Sequence, residues 1–271
     1  SSDLWRRPEA FLKFVDCLRA GWDVMVNKQH NYTLDQVNAK LVLRSWWASF
    51  AVLPFANRLV VLICNYTELT PNQITTISCF FRFFSALCFL TGSRSGLILG
   101  AIFYYLGYLI DCIDGPVARL KGKTSNFGRY FDHMSDLIGD ILILAALAFG
   151  QGVLATFMVV SMIFMHISES YISYLVNFSF GVVSVSENSS DHSRKYYFHR
   201  GFQRYREFFF RRNFKSFLSF PDYEALTLFL FPLLGFPLVG LKIGFCLLLI
   251  TTLYTIFSSF ISIHTGERRF P

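Results

Sequence analysis

Residues 111–136 read DCIDGPVARLKGKTSNFGRYFDHMSD, and this stretch decides how the chain is interpreted. It holds four aspartates, two arginines and three glycines, with strongly apolar sequence on both sides. The whole chain has 271 residues, is 53% hydrophobic and contains 32 phenylalanines, more than a soluble domain needs to fill its core. The sequence therefore predicts an integral membrane protein with carboxylates concentrated inside its apolar segments.

The expected fold class is all-α. Several apolar runs approach the roughly 20 residues that a spanning helix needs, and the alternation typical of a membrane barrel is absent. We predict six transmembrane helices, preceded by N-terminal amphipathic helices at the membrane surface. By run length and breaker residues, the six spans are about 72–91, 96–120, 127–149, 153–177, 224–240 and 243–263.

This organisation divides the chain into three regions. Residues 1–69 are predicted to be a cytosolic or interfacial amphipathic region, 70–265 the six-helix membrane domain, and 266–271 a cytosolic tail. Residues 48–64 are apolar enough for a re-entrant segment or an additional span, and that alternative stays open. The first residues lack the apolar core of a signal peptide, so the N-terminus is expected in the cytosol.

The net charge of +7 fits a membrane topology better than a nucleic-acid partner, because the chain contains no recognisable nucleic-acid module. Most lysines and arginines fall in segments that this topology places on the cytosolic side, as the positive-inside rule requires. A basic, aromatic-rich cytosolic loop at about 178–223 is expected to bind anionic headgroups of membrane lipids. A substrate-phosphate site in this loop is the less favoured alternative.

The aspartates of the opening stretch fall on two helical faces. Residues of a helix are about 100° apart, so Asp111 and Asp114 share one stripe, and Asp132 and Asp136 share another in the next span. Against lipid, each would cost about 2.5–3.5 kcal/mol, so they must face something else. Two arginines of the stretch can neutralise two charges, and a divalent cation would supply the rest.

Carboxylates without histidine or cysteine favour a hard ion, Mg²⁺ or Mn²⁺, with Ca²⁺ as a weaker fit, either substituting or inhibiting. A diphosphate is the natural additional ligand of such ions. Four carboxylates suffice for two divalent ions, which would polarise a phosphorus and stabilise a leaving phosphate. Gly115 and Gly128 would let a bulky substrate approach the backbone.

The spacing of this stretch resembles the signature of the CDP-alcohol phosphotransferase family at every fixed position. The residues that carry the resemblance are Asp111, Asp114, Gly115, Ala118, Arg119, Gly128, Asp132 and Asp136. The chain looks similar to the family over about residues 70–265, and TPNQIT at 70–75 resembles a Pro-Asn segment that many members carry. The resemblance implies a six-helix enzyme, usually a homodimer, with CDP-linked donors and lipid or small alcohol acceptors.

The resemblance also implies residue roles. Asp111, Asp114 and Asp132 would be metal ligands, and Asp136 would both contact metal and act as general base on the acceptor hydroxyl. The nucleotide and diphosphate would be contacted by Asn72, Gly115, Ala118 and Arg119, with Gly128 making room. CMP would be released, at an active site facing the cytosol of a bacterial inner membrane or an ER-type membrane.

Acceptor recognition is expected outside the signature. Asp140 continues the aspartate stripe one turn deeper, and His166 and Glu169 lie in the fourth span, so these ionisable residues are candidates. A buried hydrogen-bonded cluster is an equally good interpretation. Spans four to six offer no cation for a substrate phosphate. The cations that could substitute are Arg82 in the first span and the loop residues Arg204, Arg206, Arg211, Arg212 and Lys215. This favours an unphosphorylated acceptor or an amino-alcohol headgroup. Both directions of transfer, lipid or headgroup, stay open.

Two other function classes compete with the enzyme. A cation transporter would distribute its acidic residues across the membrane depth, whereas the four signature aspartates are predicted at one end of their helices. A catalytically inactive scaffold would not need every signature position to be filled. Both are ranked below the enzyme.

Overall fold

The computed structural model describes residues 32–39, 45–183 and 219–265. Their regular structure is helical throughout, which confirms the all-α class. The first 31 residues, most of the predicted basic loop (184–218) and the predicted tail (266–271) lie outside the described residues. The helices are α1 (Leu34–Ala39), α2 (Leu53–Tyr66), α3 (Pro71–Leu90), α4 (Arg94–Leu120), α5 (Asn126–Gly150), α6 (Phe157–Val183), α7 (Phe220–Glu224), α8 (Phe231–Leu234) and α9 (Pro237–Thr265), with π-helical segments at Ala48–Val52 and Ala225–Leu230.

The chain is an integral membrane protein. Within the described ranges, five helical segments are long and apolar enough to cross a membrane, namely Ala48–Tyr66, Pro71–Leu90, Arg94–Leu120, Asn126–Gly150 and Pro237–Phe260. A shorter apolar stretch, Phe157–Ile172, forms the first part of α6. The predicted spans at 72–91, 96–120 and 127–149 agree with α3, α4 and α5 within two residues at either end.

Two segments differ from the expected six spans. The segment Ala48–Tyr66, expected at the membrane surface, has the length and hydropathy of a span. The predicted span at 224–240 is interrupted, because α8 ends at Gly235 in the left-handed conformation (φ +83°) and α9 begins at Pro237. Glycine adopts this conformation without strain, and proline suits the first turn of a new helix.

Side-chain caps fix where α3, α4 and α5 begin. Thr70 and Gln73 form a reciprocal capping box at the start of α3. The hydroxyl of Ser93 accepts a hydrogen bond from the Gly96 N–H, and that of Ser125 accepts one from the Gly128 N–H. Because the helices follow each other after short turns, α3 packs against both α4 and α5.

Small residues bring α3 and α4 close together. The hydroxyl of Ser78 donates to the carbonyl of Gly107 at 3.0 Å, and that of Ser85 donates to the carbonyl of Gly100 at 2.8 Å. Small side chains and interhelical hydrogen bonds are the usual means by which membrane helices associate. In addition, α2 packs against α4, and α6 packs against α9.

The turn after α3 makes a backbone contact with the end of α5. A Cβ atom on Gly150 would collide with the carbonyl oxygen of Phe89, and one on Gly92 would collide with the carbonyl oxygen of Gly150. Gly92 also has a φ of +62°, which disfavours any other residue. These two glycines therefore set how closely α3 and α5 approach at this end of the bundle.

We expect Gly150→Ala to destabilise the protein by about 3 kcal/mol, because the two backbones must separate to admit a methyl group. Thermal melting of the purified protein in detergent measures the loss. Gly122→Ala is the matched control: its φ is +64° but no atom lies within 4 Å of the added Cβ. It should lose only about 1 kcal/mol. Equal melting temperatures of the two variants would contradict the close contact.

Candidate active site

Arg82 of α3 lies buried where α3, α4 and α5 meet, with 4% of its side chain exposed. Its Nη2 is 3.4 Å from Oδ1 of Asp111 on α4, and its Nη1 is 2.7 Å from Oδ1 of Asp136 on α5. One guanidinium therefore pairs with the first and the last aspartate of the signature. A planar group with several donors suits two carboxylates better than an ammonium does.

Two glycines make room for this side chain. A Cβ atom on Gly139 of α5 would lie 2.8 Å from Cδ of Arg82, and one on Gly107 of α4 would lie 3.3 Å from Cγ. Each glycine is within about one helical turn of an aspartate that Arg82 contacts. The space for Arg82 is thus provided by both neighbouring helices.

Three of the four predicted metal ligands converge. Carboxylate oxygens of Asp111, Asp114 and Asp132 all lie within 4.8 Å of one another. The hydroxyl of Thr75 donates a hydrogen bond to Oδ2 of Asp114, which fixes this buried carboxylate from α3. Asp136 is not a member of this trio. It is directed at Arg82, and 37% of its side chain is exposed.

A cavity of about 680 Å³ is lined by two of the three carboxylates, Asp114 and Asp132. All five residues that the resemblance assigned to the nucleotide line it. The lining consists of Pro71, Asn72, Thr75, Asp114, Gly115, Ala118, Arg119, Lys123, Thr124, Ser125, Asn126, Gly128, Arg129 and Asp132. Acidic side chains on one part and basic side chains on another would suit an anionic ligand that also binds a divalent cation.

The two signature glycines shape this cavity. A Cβ atom on Gly128 would lie 3.2 Å from Oδ1 of Asn72 and 3.0 Å from Oγ of Ser125. One on Gly115 would lie 3.2 Å from Nη1 of Arg119. Their missing side chains therefore let an asparagine and an arginine of the cavity wall approach the helix backbones.

A lysine between two residues of the cavity lining joins the connection before α3 to the one after α4. Nζ of Lys121, just after α4, donates to the carbonyl oxygens of Thr67 at 2.9 Å and Leu69 at 3.1 Å, just before α3. Nearby, Nη2 of Arg129 donates to Oδ1 of Asn126. Cations are thus concentrated at the end of the bundle that carries the aspartates.

The predicted acceptor residues form a separate group that does not line this cavity. Asp140 and His166 are buried and lie beside Glu224 of α7, with ligand atoms within 4.8 Å of one another. Glu169 accepts a hydrogen bond from Thr255 of α9 at 3.3 Å. Arg82, the fourth predicted acceptor residue, pairs with Asp111 and Asp136 as described. The acceptor role of these four residues stays a prediction.

Several residues of the site were missed by sequence reasoning. Thr75 had a signal, since it lies one turn after Asn72 in the quoted TPNQIT segment and so on the same face of α3. Glu224 is an acid at the start of an apolar run, which is itself a reason to suspect function. Nothing in the local sequence indicates that Tyr223 contacts His166.

Removing the guanidinium should destabilise the protein. We expect Arg82→Gln to lower the free energy of unfolding by about 3 kcal/mol in the absence of divalent ions, because two carboxylates lose their buried partner. Arg82→Lys keeps the charge but cannot reach both carboxylates with separate nitrogens. It should therefore lower the free energy of unfolding by less than Arg82→Gln does.

Thermal melting in detergent, with chelator present, measures both variants. Arg129→Gln is the control, because Arg129 is exposed and hydrogen-bonds to Asn126, just three residues away on the same helix. A surface substitution of this kind should change stability by less than about 0.5 kcal/mol. If Arg82→Gln and Arg129→Gln had the same melting temperature, the two ion pairs of Arg82 would not stabilise the protein.

Comparison with known proteins identifies relatives of the segment that carries this site. The family model described as CDP-alcohol phosphatidyltransferase matches residues 68–194. An archaetidylinositol phosphate synthase of Pyrococcus horikoshii is 34% identical over 82 residues, which cover 30% of this chain and 42% of the relative. A CDP-diacylglycerol–serine O-phosphatidyltransferase of Saccharomyces cerevisiae is 32% identical over 127 residues, covering 46% and 45%. The chain spans less than half the length of the curated relatives it matches.

A solved structure is also similar to this chain. It is the phosphatidylinositol phosphate synthase of Mycobacterium tuberculosis in complex with manganese and citrate, which is 18% identical. The match covers 76% of this chain and 88% of that chain, with a TM-score of 0.44.

Proposed function

We propose that this chain, whose residues 68–194 match the CDP-alcohol phosphatidyltransferase family model, transfers a substituted phosphate from a CDP-linked donor to an alcohol and releases CMP. The observation that carries the proposal is the convergence of Asp111, Asp114 and Asp132, two of which, Asp114 and Asp132, line a cavity that also presents Arg119 and Lys123. This combination matches a ligand with both a diphosphate and bound divalent cations.

The aspartates fit the divalent ions that the family resemblance implies. Asp111, Asp114 and Asp132 offer oxygen atoms within 4.8 Å of one another, and Asp136 lies on the same face of α5 one turn after Asp132. We propose that these four residues hold two Mg²⁺ or Mn²⁺ ions. When bound, such ions would polarise the phosphorus and stabilise the departing phosphate.

The donor is proposed to occupy the 680 Å³ cavity. Arg119 has the planar fork of donors that suits diphosphate oxygens, and Lys123 adds a second positive charge. Gly115 and Gly128 keep the helix backbones open to the donor, while the amide of Asn72 can hydrogen-bond the nucleotide. All five of these residues line the cavity.

Asp136 is proposed to be the general base. Its side chain is 37% exposed, so an acceptor hydroxyl can reach it, and Arg82 holds one of its oxygens at 2.7 Å. Its carboxylate would take the hydroxyl proton as the new oxygen–phosphorus bond forms and the bond to the CMP oxygen breaks. Positioned proton transfer of this kind contributes a factor of about 10²–10⁴ in rate.

The site is proposed to face the cytosol. Arg119, Lys121, Lys123 and Arg129 lie at the same end of α4 and α5 as the carboxylates. Lysine and arginine accumulate in cytosolic connections, so this end belongs on the inside. A homodimer is proposed on the family resemblance alone.

An unphosphorylated acceptor is the proposal that the described charges favour. Among Arg82, Asp140, His166 and Glu169, the single arginine is already paired with two carboxylates. Glu224 adds a further acid beside Asp140 and His166. A phosphate on the acceptor would meet more negative than positive charge in this part of the bundle, which would weaken its binding.

The first test is release of CMP. Purified protein with Mg²⁺ or Mn²⁺ should form CMP from a CDP-linked donor, with CDP-diacylglycerol and CDP-ethanolamine both tried, when alcohols are supplied. Asp136→Asn should lower the rate at least about 10²-fold through loss of the base while leaving the melting curve measurable. Ser135→Ala, a neighbour whose hydroxyl bonds to the Asp132 carbonyl, is the control. Wild type that binds no CDP-alcohol under any metal condition would overturn the proposal.

The second test is an acceptor panel. Serine, ethanolamine, inositol, inositol phosphate, glycerol 3-phosphate and diacylglycerol are each supplied with the matching donor, and lipid products are identified by mass spectrometry. We expect products from unphosphorylated acceptors, because Arg82, the single cation among the predicted acceptor residues, is already paired with Asp111 and Asp136. A product formed only with inositol phosphate or glycerol 3-phosphate would contradict the acceptor proposal without affecting the family assignment.

A further inference from the structure

A second cluster of metal-type ligands lies deeper in the bundle than the signature aspartates. It consists of Asp140 on α5, His166 on α6 and Glu224 on α7, which are 7%, 1% and 3% exposed. One ligand atom of each lies within 4.8 Å of those of the other two. Three helices therefore meet at three ionisable side chains.

Two atoms of this cluster have unused hydrogen-bonding capacity. Nε2 of His166 and Oε1 of Glu224 are buried and hydrogen-bond to no described residue. They face each other at 3.9 Å, which is too long for a hydrogen bond. A buried imidazole nitrogen without a partner is costly unless something else occupies the position that it faces.

The imidazole ring is held in one orientation. Its Nδ1 is 2.7 Å from the hydroxyl of Tyr223, and the ring of Phe220 packs edge-on against it at a centroid distance of 4.5 Å. When Nδ1–H donates to the Tyr223 oxygen, the lone pair of Nε2 points at Glu224 and Asp140. A second partner that fixes the tautomer in this way is typical of metal-binding histidines.

We propose that Asp140, His166 and Glu224 bind one divalent transition-metal cation, with Zn²⁺ preferred over Mg²⁺. An imidazole with two carboxylates suits zinc or manganese, whereas Mg²⁺ favours oxygen ligands and water. Ligand atoms lie about 2.0–2.2 Å from zinc, so in a tetrahedral site any two of them are about 3.3–3.6 Å apart. The 3.9 Å between Nε2 of His166 and Oε1 of Glu224 is close to this separation, and the 4.8 Å limit on the cluster requires side-chain movements of about 1 Å.

Charge balance supports the same site. Two carboxylates removed from water need a compensating positive charge or a proton. Arg82 is the nearest described cation, but its nitrogens face Asp111 and Asp136. A divalent ion would neutralise Asp140 and Glu224 together. Carboxyl groups that instead share protons, with no metal, are the competing outcome of the test.

Such an ion would act as a positioning element. Asp140 lies one helical turn after Asp136 on α5, so a metal joining it to α6 and α7 would fix the helix face that carries the proposed base. The inference does not depend on CMP release, because it concerns residues outside the donor cavity. Failure of either proposal leaves the other standing.

The test measures metal content directly. Full-length protein purified with Zn²⁺ in the medium, then dialysed against Mg²⁺, should retain about one zinc per chain, as expected for a buried three-residue site. His166→Gln and Glu224→Gln should lose it. Asp114→Asn, which alters the signature trio, should keep it. Inductively coupled plasma mass spectrometry gives the number of zinc ions per chain. Gel filtration and circular dichroism confirm that each variant is folded.

X-ray absorption spectroscopy at the zinc edge, recorded on the Asp114→Asn protein, identifies the atoms bound to zinc. This measurement does not require any variant of Asp140, His166 or Glu224 to fold. We expect nitrogen and oxygen neighbours at about 2.0–2.2 Å and no sulfur. Protein that retains less than about a tenth of an equivalent of zinc would overturn the site, since a closed buried site releases its ion slowly. So would full retention by a folded His166→Gln variant, or a first shell containing sulfur.

Discussion

The two ion pairs of Arg82 are the constraint on which the rest of this bundle depends. A guanidinium in an apolar interior is tolerated only if it is matched by opposite charge, and here the match comes from two different helices. Because Asp111 and Asp136 must both reach it, the faces of α4 and α5 toward α3 are fixed. The same rotation brings Asp114 and Asp132 together at the cavity wall.

The chemistry of the site is assembled at helix ends. Thr70 and Ser125 begin α3 and α5 by capping them, and Asn72 and Gly128, both close to these caps, lie next to each other in the wall of one cavity. Lys121, just after α4, hydrogen-bonds to two backbone carbonyls of the connection before α3, so these two connections are joined. Rigid elements with short, tied connections suit a reaction in which donor and acceptor must be aligned.

The sequence was sufficient for the features that depend on local pattern. Apolar run length located α3, α4 and α5, because spanning helices need about 20 apolar residues. The helical spacing of the aspartates predicted two acidic faces, and three of these four carboxylates do converge. Arg82 was identified as a candidate but given an acceptor role, since its pairing partners are 29 and 54 residues away along the chain. The convergence of Glu224 with His166 could not be predicted either, as it depends on how α6 and α7 pack. The break at Gly235 was missed because the apolar composition continues through it.

The glycines that surround Arg82 carry an evolutionary consequence. Gly107 and Gly139 have no side chain because the arginine fills that volume, and the arginine is tolerated only because the glycines leave the volume free. A substitution at 82, 107 or 139 alone would create either a steric clash or a cavity. Homologues in which position 82 is small and neutral should therefore have gained bulk at 107 or 139, so the three sites should vary together across a family alignment.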